Sequence, residues 1–129
     1  MPANSALVTG GLGFVGAWLC RELLGRGQRV VSLDRAAREG RPSALALLGI
    51  EDQVVEVEGD LLDADLLART LASHQGSVVF HLAAQTIVGT AAASPAPTFE
   101  TNVRGTWTLL EACREQGVER VVEIGRAHV

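Results

Sequence analysis

Four glycines fall within seven positions, at Gly10, Gly11, Gly13 and Gly16, directly after the apolar run ALVT. Glycine loses the most entropy on ordering, so such a cluster marks backbone that must come close to something. Between a strand and a helix, this spacing lets main-chain amides and the positive helix end face a pyrophosphate. Gly10 is then the tight turn, Gly13 the point of close approach and Gly16 the site of close helix–strand packing. An acid about 20 residues further on completes the pattern. Asp34 is that acid: ending a short β-branched run, its carboxylate can accept from adenosine ribose hydroxyls and repel a 2′-phosphate. NAD is therefore expected over NADP, although Arg35 beside it could accommodate that phosphate and keeps NADP open. Asp60, following Gly59, is placed to accept from an adenine amino group, or equally to serve as a turn residue or helix cap.

Other reactive side chains read as structural. His81 lies inside an apolar run and is expected to be a packed core histidine, while His74 sits near a helix end and is expected to be exposed. No Cys/His cluster has metal-ligand spacing. Cys20 and Cys113 are expected to be buried free thiols, and Trp18 and Trp107 to pack in the core or on the sheet.

The elements that must position these residues alternate strand with helix. Strands are expected at 5–9, 29–34, 53–58, 77–82 and from 118, the fourth a near-continuous apolar run suited to a sheet covered on both faces. A helix over 14–26 shows Val15, Leu19 and Leu23, flanked by Cys20 and Leu24, on one face, with Gly27 as its stop. Residues 36–41 read as loop, and Pro42 with Ser43 opens a brief helix through Leu48. A helix over 63–73 has Leu66, Leu67 and Ala72 inward. The longest helix, 98–116, repeats Phe99, Val103, Thr106, Leu110 and Cys113. This order implies a doubly wound α/β parallel sheet with right-handed crossovers. Gly10–Gly16, Asp34, Asp60 and Ala83–Gln85 all fall at the carboxyl ends of strands, where such sheets bind ligands.

Bulk properties narrow the function. The 129 residues are 47% hydrophobic, enough for one core, and the net charge is −4, with arginine supplying every cationic side chain. That balance argues against nucleic-acid and anionic-membrane surfaces. No apolar run has the length of a membrane span, and residues 1–5 lack the layout of a signal peptide, so a cytoplasmic protein is expected.

Taken together, TGGLGFVG (9–16), SLD (32–34), GDLLD (59–63), FHLAAQ (80–85) and TNVRGTWTLLEAC (101–113) resemble the extended short-chain dehydrogenase/reductase family. The likeness is strongest to its NAD-dependent nucleotide-sugar epimerase and dehydratase branch, and AAQTIVGTAAASP is somewhat closer to the 4,6-dehydratases. The resemblance implies a Rossmann fold. It assigns Gly10, Gly13 and Gly16 to the pyrophosphate, helped by the backbone at Phe14 and Val15. It places Asp34 on the adenosine ribose and Asp60 with Leu61 around adenine. Ala83, Ala84 and Gln85 would line the nicotinamide side, and Asn102 would steady the loop near the cofactor ribose. It further implies a nucleotide-sugar substrate, hydride transfer between sugar C4 and the nicotinamide, and a homodimer paired through the 98–116 helix.

Two departures stand out. The family's base is a tyrosine activated by a lysine four positions later, and this chain contains neither residue type. Thr86, Thr90 and Thr101 bring hydroxyls to the right side of the cleft, but none has a basic partner, so no catalytic residue is assigned. Residues 1–122 are accordingly expected to be the N-terminal part of a dinucleotide-binding domain, truncated after its fifth strand and inactive alone. The nucleotide string GAG ATC GGA AGA GCA CAC GTC would translate to the tail EIGRAHV (123–129), and most of that string is a common sequencing-library adapter. Residues 123–129 are thus expected to be an appended, non-native tail. A non-catalytic dinucleotide-binding or redox-sensing module is the alternative function.

Overall fold

A computed structural model describes residues 5–35, 40, 42–74, 78–83, 93 and 95–123. Five parallel strands form one sheet in the order β3-β2-β1-β4-β5, with β1 Ser5–Thr9, β2 Arg29–Asp34, β3 Val55–Glu58, β4 Val78–His81 and β5 Arg120–Glu123. The central strand β1 is buried along its whole length, because helices cover both of its faces.

Alternation along the strands feeds two cores. Leu7, Val31, Leu33 and Val79 pack with Leu67 and Leu71 of α3 (Ala64–His74) and with Leu109, Ala112 and Cys113 of α5 (Gly105–Glu115). Ala6, Val8 and Val30 point the other way, onto Ala17, Cys20 and Leu23 of α1 (Phe14–Gly25) and Leu45 of α2 (Ala44–Leu47). Side chains two residues apart on one strand thus serve the same layer, and neighbours serve opposite layers. The sheet is doubly wound, as the alternation of elements implies.

Local chemistry explains the boundaries. Ser43 caps α2 by accepting from the Ala46 amide at 3.2 Å, and Asp63 accepts from the Leu66 amide at 3.0 Å to open α3. Gly27 ends α1 in the left-handed region at φ +78°. β3 begins at Val55, two residues later than the alternation suggests, because Glu51–Gln53 form a 3-10 turn.

The long C-terminal helix is interrupted. Helix α4 (Pro95–Phe99) passes through a π turn at Glu100–Arg104 into α5, so the i, i+4 pattern slips by a residue. The expected inner face is therefore wrong in part. Gly105, Leu109, Ala112 and Cys113 are buried, whereas Phe99, Val103 and Leu110 are exposed.

Other expectations of burial also fail. Val15 faces solvent and Gly16 and Ala17 face the sheet, while on α3 Thr70 and Leu71 turn inward and Ala72 outward. Thr70 is tolerated there because its hydroxyl donates to the Leu66 carbonyl at 2.7 Å. Trp18 is half exposed with the Arg21 guanidinium 5.2 Å from its ring centre, and Trp107 is 57% exposed, so neither is a core residue. His74, the last residue of α3, is half-buried rather than exposed. Cys20 and Cys113 are free and buried.

Candidate functional site

A cleft of about 450 Å³ opens at the carboxyl ends of β1, β2 and β3. Its floor is the glycine turn. Gly10 adopts φ +76°, which a side chain would strain, and a Cβ there would sit 3.0 Å from the Ala83 amide nitrogen. A Cβ on Gly16 would run into the Gly10 carbonyl, so the helix starts hard against the turn only because that side chain is missing. Gly13 is the N-cap of α1 and offers no side-chain cap, and the first turn holds no acid. The opening amides of α1 therefore face the cleft without a competing carboxylate.

Asp34 forms the second wall. Its Oδ2 accepts from the Leu12 amide at 3.1 Å and its Oδ1 from the Arg35 amide at 2.7 Å. A carboxylate has about four acceptor positions, so each oxygen keeps capacity for a ligand hydroxyl. Opposite, Asp60 Oδ1 accepts from the Leu62 amide at 3.0 Å, making a turn, and Asp63 rather than Asp60 caps α3. The Arg35 guanidinium reaches across the cleft mouth, 3.8 Å from Asp60 Oδ2 and 3.4 Å from Thr101 Oγ1.

The cleft brings together Gly10, Gly13, Phe14, Val15, Gly16, Asp34, Arg35, Asp60, Leu61 and Ala83. Asn102 lies in the π turn, one residue past Thr101, and it is Thr101 that lines the cleft. Ala84, Gln85, Thr86 and Thr90 fall outside the described residues. Sequence reasoning missed Leu33, Gly59 and Leu82 as wall residues. Gly59 carried a signal in its place ahead of Asp60 in GDLLD, and in the structure a Cβ there would collide with the Leu66 side chain. Among the described residues no group of three His, Cys, Asp or Glu side chains could hold a metal.

His81 sits beneath this cleft, 7% exposed, as the packed histidine its apolar surroundings suggest. Burial pushes its pKa below the ordinary value, partly opposed by the charge of Glu123. Burial also pushes both thiols up to about 11, so Cys20 and Cys113 stay protonated and inert.

The family model described as "NAD dependent epimerase/dehydratase family" matches residues 6–129. The chain belongs to that family. Among epimerase/dehydratase relatives, the dTDP-glucose 4,6-dehydratase 1 of Escherichia coli (strain K12) is 39% identical over 109 residues, covering 84% of this chain and 30% of that protein. The crystal structure of UDP-glucose-4-epimerase from Stenotrophomonas maltophila, with bound NAD and formylated UDP-arabinopyranose, superposes with a TM-score of 0.83. Its identity is 32%, over 92% of this chain and 36% of the other. The DesIV double mutant, a dTDP-glucose 4,6-dehydratase from Streptomyces venezuelae with NAD and DAU bound, gives a TM-score of 0.77 at 37% identity. That match covers 90% of this chain and 37% of the other. The chain thus spans about a third of the length of the epimerase/dehydratase proteins it matches.

Proposed function

We propose that this chain is the NAD-binding portion of a nucleotide-sugar 4,6-dehydratase or 4-epimerase. One observation carries the reading. The turn at Gly10–Gly16 packs so closely that a Cβ at Gly10 would meet the Ala83 backbone and one at Gly16 the Gly10 carbonyl, which leaves bare backbone on the cleft floor, and Asp34 stands beside it with acceptor capacity to spare. These residues fit an adenine dinucleotide. Related proteins of both enzyme types have been crystallised with NAD.

Bound there, the dinucleotide supplies a nicotinamide ring that takes up and returns a hydride. The chain's own residues hold and orient it. Amides of the turn and of Phe14 and Val15 meet the diphosphate, and Asp34 accepts from the adenosine ribose. Asp60 and Leu61 border the adenine, and Ala83 borders the nicotinamide side, continued in sequence by Ala84 and Gln85. Asn102 acts through the π turn, steadying the loop that presents Thr101. Asp34 favours NAD over NADP in this role, and Arg35, whose guanidinium lies by Asp60 and Thr101, keeps NADP open because it could accommodate a 2′-phosphate.

General-base catalysis needs a titratable group at the sugar hydroxyl, and this chain contains no tyrosine and no lysine. We assign it cofactor binding without turnover, the activity belonging to a longer parent. The parent is proposed to be a homodimer, since Phe99, Val103, Trp107 and Leu110 make an exposed apolar stripe along α4 and α5. Two buried free thiols fit a reducing compartment, and the cytoplasm is the proposed location. Residues 1–122 are proposed to be the N-terminal part of the parent's dinucleotide-binding domain, with 123–129 as an appended tail.

Calorimetric titration of the purified chain with NAD and NADP tests the reading. NAD is expected to bind and NADP to bind more weakly; failure of both to bind overturns it. Resequencing beyond Val122 tests the parent. A continuing frame with a Tyr-x-x-x-Lys segment supports the enzyme, whereas a native stop codon directly after Val129 favours the non-catalytic module and refutes the appended tail.

A further inference from the structure

His81 ends β4, in register with Thr9 on β1 and Glu123 on β5. Its ring joins three elements. Nδ1 lies 2.7 Å from Thr9 Oγ1, and Nε2 lies 3.1 Å from Thr106 Oγ1 on α5. Counting protons fixes the direction of each bond. Thr106 has one hydroxyl proton and gives it to the Asn102 carbonyl at 2.8 Å, because a carbonyl can only accept. Toward His81 it must therefore accept, and Nε2 must carry a proton.

Thr9 reads the other way. Its Oγ1 accepts from the Ala83 amide at 3.1 Å and shares the Leu82 amide, also at 3.1 Å, with the Thr9 carbonyl at 3.2 Å, which engages its two lone pairs. Its own proton is left for Nδ1. One tautomer closes the whole set, the neutral imidazole with its proton on Nε2. With the proton on Nδ1 instead, the Thr9 hydroxyl proton would have no partner and Nε2 would have none to give to Thr106 Oγ1.

The groups fixed by this count are the two sides of the cleft. Leu82 and Ala83 line it, with the Ala83 amide backed against the Gly10 turn. The Asn102 carbonyl belongs to the π turn whose Thr101 lines it from the opposite element. A single buried ring thus connects β1, the Leu82–Ala83 wall and the π turn.

We propose that His81 is a positioning residue of the cofactor cleft, its Nε2–H tautomer fastening the Leu82–Ala83 wall to the turn that presents Thr101. The ring touches neither cofactor nor substrate and acts through Thr9 and Thr106. The effect on cofactor affinity rests on the reading of the cleft as a dinucleotide site, while the tautomer and the rigidity of the wall do not.

The test uses the full 129-residue chain, labelled with ¹⁵N. A long-range proton–nitrogen spectrum at neutral pH is expected to show the Nε2–H pattern for His81; an Nδ1–H or doubly protonated pattern overturns the proposal. His81→Leu removes both ring contacts and is expected to speed amide exchange at Ala83 about tenfold, with Leu82 held by the Thr9 carbonyl as the internal reference, and to weaken NAD binding about tenfold. His81→Asn keeps an acceptor where Nδ1 was, so it is expected to restore both values to within about threefold of the original. Equal exchange in His81→Leu and the unsubstituted chain, or equal losses in the Leu and Asn variants, overturns the assignment. Should His81→Leu fail to fold, Thr106→Val carries the test, with faster Ala83 exchange expected and unchanged exchange fatal. An unsubstituted chain that does not bind NAD sinks the proposed function alone, because spectrum and exchange still judge His81.

Discussion

The Leu12 amide donates to Oδ2 of Asp34 at 3.1 Å, joining the glycine turn to the end of the neighbouring strand. The same carboxylate therefore shapes the floor of the cleft and offers acceptors to what lies in it. Asp34→Ala is expected to leave the Leu12 amide without its partner and to reduce NAD affinity at least about tenfold, with the smallest loss for NADP. Calorimetry with both dinucleotides reads the ratio. An unchanged preference would remove Asp34 from cofactor selection.

Two glycine substitutions separate binding from folding. Gly16→Ala pushes a methyl group against the Gly10 carbonyl and is expected to displace the turn, with NAD binding lost by more than about tenfold. Gly27→Ala places its methyl in open space but keeps φ +78°, so it is expected to cost about 1 kcal/mol of stability and no affinity. Urea midpoints and titrations on both variants check the contrast.

Acid is expected to weaken this fold through His81. Its folded pKa is lowered, so the unfolded chain takes up the proton first. The stabilising difference is whole above the unfolded value near 6.5 and is lost as the pH falls below it, levelling off under the folded value. Urea unfolding at pH 7.5 and 5.5 is expected to show a larger drop for the natural chain than for His81→Asn. Parallel drops would mean that other groups carry the acid sensitivity.

Neither thiol is expected to react with an alkylating reagent at pH 7.5 while the chain is folded. Burial holds both near 11, and both are expected to react once urea exposes them. Mass spectrometry of the alkylated protein counts the modified cysteines. Rapid labelling of the native chain would contradict their burial.

The stripe Phe99, Val103, Trp107 and Leu110 is expected to drive self-association, and Trp107→Glu to weaken it. Sedimentation velocity across a concentration series should show the variant shifting to monomer. Coincident profiles would place the contact elsewhere.

Much of this was legible in the sequence, and for identifiable reasons. β1 and β4 are short apolar runs covered on both sides, and the Gly10–Gly16 turn has the flanking elements its spacing requires. Helix faces were harder to read. Apolar spacing does not distinguish a side chain that meets the sheet from one that meets solvent or another molecule, which is why Val15, Phe99 and Trp107 were misplaced. The π turn at Glu100–Arg104 shifted the register of the last helix without any proline or glycine to announce it inside the turn. The Thr9–His81–Thr106 set was invisible because its members lie far apart along the chain, and two threonines have no spacing signature.

The strand order has a consequence for how the molecule assembles. β1, β2 and β3 are neighbours in both sequence and space, whereas β4 must return to β1 across 72 positions, the separation of Thr9 and His81. Contacts that close so long a loop cost the most entropy and form late. During synthesis, then, the nascent polypeptide has the glycine turn and the Asp34 and Asp60 walls well before the Leu82–Ala83 wall exists, and the arrival of β4 beside β1 is the step expected to turn a half-open trough into a closed cleft.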